Sequence, residues 1–434
     1  MFTRQIAQRS ARAVAQRRTY ASVSEASGVK VAGIDNGQPT TSISVVVKAG
    51  SRFESRPGVA HALKNFAFKN TKAGSALKTV RETELYGGVL SSALTREHLF
   101  LNAEFLRGDE DYFLSLMSSV LSSTKFTPHE FGEVVVPTIE ADSLAALSSP
   151  STMAFDIAHT LAFRRGLGNS LFASPHTELT AENVKEYASK AFAKSNVAVI
   201  GTGISTEALE KAVAKAFGGA STTGGSSSSG PATQYFGGEQ RLPLDLHAAE
   251  GQPTMLIAFG STDAAAAPAL AVLKNVLGGE SDLKWVPGTS PLALAAAKVP
   301  GGKAKAFVLP YSDASLFGVF VTAPTSEGVK AIAGDAVAAI KGLGQVNEEA
   351  LKKAVAKTKF EVASVVENKE GLIALAGPQV LSGSVKSLED AFGAIEKAST
   401  ESLSKAAEAL FKGKPTVVAV GDLSVLPYAD ELGL

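Results

Sequence analysis

Two short runs constrain the fold of this chain more than any other feature. Val197–Gly201 reads VAVIG and Val417–Gly421 reads VVAVG, and each follows an alanine-rich helical segment near the end of one half of the sequence. A short apolar run closed by glycine reads as a buried strand. The elements leading up to each run also come in a similar order. In the first half, Val45–Val47 predicts a buried strand, 57–70 a helix with Pro57 in its first turn, 79–85 a helix, and 90–94 and 98–103 paired strands. Helical spacing follows over 108–124, with Met117 on its core face, over 131–147 interrupted at Pro137, and over 151–163. A helix capped by Thr180 then feeds the 197–200 strand, and 207–217 is helical. The second half runs strand 252–259, helix 265–277, strands 304–307 and 316–323, helices 327–340, 347–366, 387–398 and 405–410, and strand 416–420. This order predicts a duplicated α+β chain: two similar domains, each a mixed β-sheet packed with helices, over 29–217 and 231–434.

The chain has 434 residues, 45% of them hydrophobic, enough for about two domains with cores of their own. It has no cysteine, which excludes disulfides, thiolate metal sites, cysteine-ligated iron–sulfur clusters and cysteine nucleophiles. The six histidines (His61, His98, His129, His159, His176 and His247) include no i, i+4 pair. Forty-two bases balance 42 acids, but residues 1–20 carry Arg4, Arg9, Arg12, Arg17 and Arg18 and no acid. The remainder holds 37 bases against 42 acids, a net charge of −5, with no basic stripe for a phosphate backbone. Nucleic acid is therefore not an expected partner.

The arginine-rich, acid-free segment 1–20 has the pattern of a mitochondrial transit peptide, with Arg18-Thr-Tyr20 before a cleavage point. No stretch offers 18 uninterrupted apolar residues, since Pro268 and Lys274 break 264–277 and Pro310, Asp313 and Gly318 break 307–323. Residues 218–230, GGASTTGGSSSSG, read as a Gly/Ser-rich linker between the domains. This run lacks the Lys-Ser/Thr ending of a phosphate loop, and GTGIS at 201–205 stops short of a dinucleotide motif because residue 206 is threonine. Both glycine clusters read as connections rather than nucleotide sites.

The stretch GVAHALKNFAFKNT (58–71) carries a histidine on a helix. One helical turn puts His61 and residue 65 on the same face, a spacing at which two imidazoles can share zinc. Residue 65 is asparagine, a poor ligand, and residue 64 is lysine, whose ammonium cannot accept a proton from water and repels a cation. On the residues alone, His61 reads as a hydrogen-bonded, partly buried helix residue, and Lys64 and Asn65 as solvated or interface positions.

TTSISVVVKAGSRFE, the 58–71 stretch and ELYGGVLSSALTREHLFLNAEFLRGD together resemble the amino-terminal domain of the pitrilysin/insulinase-like metallopeptidase family. Active members carry H-x-x-E-H on this helix and a distant glutamate as third ligand. The resemblance places His61 at the first ligand, Lys64 at the general base and Asn65 at the second histidine. It places Glu140 at the distant ligand, with Glu133 seven residues before it. It implies an inactive member with no catalytic residue, no metal and no cofactor. A zinc site would return on Lys64→Glu with Asn65→His, provided Glu140 lies in range.

Inactive members serve as partners and scaffolds. SALTREHLFLNAEFLRGDEDYFL, FRRGLGNSLFASPH (163–176), LGGESDLKWVPGTSPL (277–292) and GPQVLSG (377–383) are similar to the core-subunit branch of mitochondrial ubiquinol–cytochrome c reductase, the fungal forms above all. That branch implies a structural role, peripheral on the matrix side of the inner membrane, in a dimeric complex. Its partners would be the first core protein, cytochrome b, cytochrome c1 and the Rieske protein. Two readings stay open beside it: a non-catalytic subunit of the mitochondrial processing peptidase, whose glycine-rich loop lies elsewhere, and residual zinc-peptidase function.

Overall fold

The structure, a computed structural model, describes residues 23–174, 176–218, 230, 232–244, 251–280 and 288–434. The basic segment 1–20, nearly all of the 218–230 run, His247 and the centre of the 277–292 stretch lie outside the described residues.

The valine runs become the central strands of two sheets. The first sheet contains β1 (Ser24–Ala26), β2 (Val29–Ile34), β3 (Thr40–Val47), β4 (Val89–Leu94), β5 (Leu99–Leu106) and β6 (Val197–Thr202), in the order β1-β2-β6-β3-β5-β4. The second contains β7 (Gly238–Pro243), β8 (Thr254–Ser261), β9 (Lys303–Pro310), β10 (Ser315–Thr322) and β11 (Thr416–Gly421), in the order β7-β11-β8-β10-β9. Apart from β1, the two sheets are the same object. Each half lays out its first, last, second, fourth and third strands in that order. In each half the first and last strands are parallel, and every other neighbouring pair is antiparallel. The duplication expected from the sequence is present as topology, with β6 and β11 in equivalent places.

The central strands β3, β6, β8 and β11 are buried along nearly their whole length, so both faces of each sheet must be covered. One face of the first sheet packs on helices of its own half: Ile43, Val45 and Val47 join Leu63, Phe66, Phe113 and Met117 in one core. The opposite face presents Ala32, Val46, Phe100, Ala198 and Ile200, and these are covered by Ile373, Ala376 and Val380 from the Lys369–Ser382 helix of the second half. The second sheet mirrors this. Its inner core joins Met255, Ile257, Phe259, Val319 and Val417 to its own helices. Its other face, with Leu256, Ala258, Leu316, Val418 and Val420, packs on Ala154, Ala158, Ala162 and Phe163 of the Pro150–Phe163 helix from the first half. The halves thus exchange one helix each. Lysines pin the Lys369–Ser382 helix at both ends: Lys369 donates to Thr40 and Glu104, 2.6 Å to each, and Lys30 donates to the Leu381 carbonyl at 2.7 Å.

These contacts correct several expectations. The 151–163 helix belongs by sequence to the first half but by packing to the second. Residues 369–382, for which the sequence predicts no element, form a helix despite Gly371, Gly377 and Pro378. The 57–70 helix shortens to Val59–Phe66, because Gly58 takes a left-handed conformation (φ 82°) and leaves Pro57 outside. Pro137 does not end its helix: a π-helical turn at Phe131–Val135 precedes it, and the Val136–Ser148 helix continues with Pro137 in its first turn. Met117 is fully buried, as expected.

The equivalent hairpin turns β4–β5 and β9–β10 meet where the halves join. Both are closed the same way, Thr95 N–H to the His98 carbonyl and Tyr311 N–H to the Ala314 carbonyl, each at 2.8 Å. Glu97 of the first turn accepts from Ser312 of the second through both its N–H (3.0 Å) and its hydroxyl (2.6 Å). Arg52 grips Asp313 with two 2.7 Å bonds and Glu97 with a third at 2.8 Å. Arg96 pairs with Asp156 at 2.8 Å and donates to the carbonyls of Leu167 and Asn169.

Candidate functional site

The Val59–Phe66 helix is almost wholly buried. Val59, Ala60, His61, Ala62, Leu63 and Phe66 face the first core, while Lys64 and Asn65 are half-buried. Its start is held from the preceding turn, where the Glu54 carboxylate accepts the Gly58 N–H at 3.0 Å. Burial pushes that carboxyl up to about 8, against the opposing backbone donors of Gly58 and Ala60. A side chain at position 58 would run into Ala173, whose Cβ lies 2.4 Å from where the new Cβ would sit. The helix is therefore clamped against the 171–174 segment.

His61 sits at that clamp and has a partner at each ring nitrogen. Its Nδ1 accepts the Ala173 backbone N–H at 3.2 Å, and its Nε2 lies 3.1 Å from Asp142 Oδ2. The edge-on ring of Phe172 closes the side, with centroids 5.8 Å apart. Lys64 donates to the same Asp142 oxygen at 3.1 Å. Burial draws the His61 pKa below the usual imidazole value, and the nearby Lys64 charge acts in the same direction, against Asp142. Burial works to raise Asp142, but the hydrogen bonds from His61 and Lys64 outweigh it and hold the carboxyl below its ordinary range. The Lys64 carbonyl accepts from Ser92 on the outermost strand β4 at 3.2 Å. The buried Asn65 Nδ2 has no hydrogen-bond partner.

The sequence-expected residues are only partly brought together. His61, Lys64 and Asn65 share the helix as their spacing requires. Glu140 does not join them: it is exposed, and the acid facing His61 and Lys64 is Asp142. Two residues correspond to about 200° around a helix, so one of these acids facing inward turns the other out. The ion pair of Lys64 is accordingly with Asp142. Glu133 is exposed and pairs with His129 at 3.1 Å. Asp142 and Ala173 carry no signal in the sequence, since only the packing of three segments selects them. Among the described residues, no three His, Asp or Glu side chains cluster as a metal would require. What the arrangement provides is a closed pair: one carboxylate neutralised by one ammonium and steadied by one imidazole.

Residues 30–174 match the family described as insulinase, peptidase family M16, and residues 178–358 match its companion, the peptidase M16 inactive domain. The mitochondrial cytochrome b-c1 complex subunit 2 of Cryptococcus neoformans is 56% identical over 420 residues, covering 96% of this chain and 95% of the relative. The chain belongs to the M16 peptidase family. Other M16 relatives are the subunit of the same name from Neurospora crassa, 42% identical over 94% of this chain and 90% of its own length, and from Homo sapiens, 29% identical over 93% and 90%. In three dimensions the M16 chain superposes on a protease from Helicobacter pylori with a TM-score of 0.80, covering 92% of this chain and 99% of that one at 18% identity. That likeness establishes the shared two-domain fold and nothing about activity.

Proposed function

We propose that this M16 chain is a non-catalytic core subunit of the mitochondrial ubiquinol–cytochrome c reductase (cytochrome b-c1) complex, acting in its assembly and stability. The observation that carries the reading is similarity along 96% of the chain, at 56% identity, to a subunit of that complex. The site geometry supports it. Where the family's chemistry needs a carboxylate base and a second imidazole, this chain has the ammonium of Lys64 and the amide of Asn65, and Lys64 is already paired with Asp142. We read positions 61, 64 and 65 as a lapsed zinc-peptidase site. No helix among the described residues is long and apolar enough to cross a membrane, which accords with peripheral attachment on the matrix side of the inner membrane. The partners on this reading are the first core protein, cytochrome b, cytochrome c1 and the Rieske protein, in a dimeric assembly.

The test is native-state mass determination of the tagged chain after gentle detergent extraction of mitochondrial membranes. Co-migration with b- and c-type haem and quinol-oxidising activity is the expected result. Recovery in the soluble matrix, bound to a partner carrying an intact H-x-x-E-H helix, would instead assign it to a processing peptidase.

A further inference from the structure

We propose that His61 is locked in the Nε2-protonated tautomer by the Ala173 backbone amide, and that His61, Lys64 and Asp142 form a metal-free cross-link closed to zinc by this hydrogen-bond polarity. The proposal rests on the reading of this position as a lapsed zinc site and supplies the mechanism that keeps it lapsed.

A neutral imidazole has one N–H and one lone pair, and the partner at one nitrogen decides which is which. Here a donor faces Nδ1: the Ala173 N–H at 3.2 Å. The lone pair must therefore lie at Nδ1 and the proton at Nε2, where Asp142 Oδ2 receives it at 3.1 Å. A metal at Nε2 needs the opposite arrangement. The lone pair would point at the metal, and Nδ1–H would donate to a carboxylate, carbonyl or water. Bringing zinc to His61 would thus set Nδ1–H against Ala173 N–H, two donors face to face in a buried place.

Neither group can step aside. Ala173 is held on its carboxyl side as well, where the Ser143 hydroxyl donates to the carbonyl of the following peptide unit at 2.8 Å. Ala173 also packs so closely on Gly58 that no side chain fits between them. Turning the ring over would remove both nitrogens from their partners. The cross-link therefore joins three segments, the Val59–Phe66 helix, the Val136–Ser148 helix and the 171–174 segment. Lys64 is a tethered cation beside Asp142, giving that carboxylate the positive partner a metal would otherwise provide.

It follows that Lys64→Glu with Asn65→His does not rebuild a zinc site. Outer-shell partners typically change metal affinity by about 10–100-fold, and this one has the wrong polarity. The test uses the full chain labelled with ¹⁵N at histidine, as wild type and as the double variant. Imidazole ¹⁵N shifts are read between about pH 6 and about pH 8, the window around the histidine pKa, with and without zinc chloride. Asp142→Asn assigns the His61 signals by moving them, without removing the ring. The expected result is a pyrrole-type Nε2 and a pyridine-type Nδ1 in both proteins, unmoved by stoichiometric zinc. A protonated Nδ1 in the wild type, or zinc-induced shifts of the His61 nitrogens in either protein, would overturn the proposal. If the double variant does not fold, the wild-type tautomer and its response to zinc decide alone. Failure of the chain to travel with the respiratory complex would sink the functional reading and leave these shifts unaltered, so the two failures are distinguishable.

Discussion

Arg52→Met tests how the two halves are held together. Methionine keeps much of the apolar stem and deletes the guanidinium, so the packing loss is small and the charge loss complete. The Arg52 side chain is 7% exposed, and its partners Glu97 and Asp313 are 10% and 34% exposed. Removing one member of a buried ion pair costs about 3–5 kcal/mol, because the other is left charged and dry. Asp313 lies at the wet edge and keeps the Thr233 N–H and hydroxyl, at 3.1 and 2.9 Å, so its share is screened and small. Glu97 is the costly survivor, relieved by the Ser312 N–H and hydroxyl. We expect about 3 kcal/mol of lost stability, read as a lower urea midpoint by far-ultraviolet circular dichroism at unchanged slope. Glu97→Gln and the double variant complete a cycle, with a coupling of at least about 1 kcal/mol expected for buried groups in direct contact. Burial alone would raise the Asp313 pKa, but Arg52 and Thr233 bring it from 3.8 to about 2. That contribution is present above about pH 4 and lost as pH falls through about 2, and Arg52→Met should move the loss to higher pH. A total cost below about 1 kcal/mol, the worth of an exposed pair, or strict additivity in the cycle, would refute the reasoning.

Acid should weaken the fold before ordinary surface carboxylates titrate, although Glu54, raised to about 8, takes up its proton in the folded chain and opposes part of the loss. Burial pushes His159 down to about 3 and His98 down to about 4, from 6.5 in the unfolded chain, so their stabilisation is complete above about pH 6.5 and declines as pH drops toward 4. Urea midpoints measured across that window should fall, and more gently in His159→Gln. Gly318→Ala places a Cβ 2.4 Å from the Ile257 carbonyl oxygen and 2.8 Å from Phe307, and should cost about 1–3 kcal/mol. Gly334→Ala, in open space on the Ser326–Lys341 helix, should instead gain up to about 1 kcal/mol in the same assay. Phe113, fully buried and stacked on Phe105 with centroids 4.1 Å apart, should lose about 3–5 kcal/mol on replacement by alanine, measured by denaturant unfolding.

The duplication was legible because it is written in periodicity. Valine runs give the central strands, and caps such as Thr180, which accepts the Asn183 N–H at 3.3 Å, mark helix starts. The exchanged helices were not legible. Residues 150–163 look like any other alanine-rich helix of the first half, and nothing local says which sheet they will cover. Gly371, Gly377 and Pro378 argue locally against the 369–382 helix, yet burial of Ile373, Ala376 and Val380 on the opposite half outweighs propensity. Gly377 also permits the approach, since a Cβ there would lie 2.8 Å from Val46. At the candidate site, the helix spacing of His61, Lys64 and Asn65 could be read directly. The choice between Glu140 and Asp142 depends on helix rotation after a π-turn, which a linear pattern does not carry.

The exchange of helices also bears on the order in which the chain becomes a protein. A ribosome or an import channel delivers residues in sequence, and the first sheet is spelled out by residue 202. Its second face stays bare until residues 369–382 arrive, and the sheet that the 150–163 helix covers lacks strand β11 until residues 416–421. For that interval the emerging first half shows water two apolar surfaces whose packing partners lie in the missing half. A chaperone that shields the early half until the late half is delivered would be serving the architecture itself. A truncation anywhere before residue 369 should yield an aggregate rather than a smaller domain.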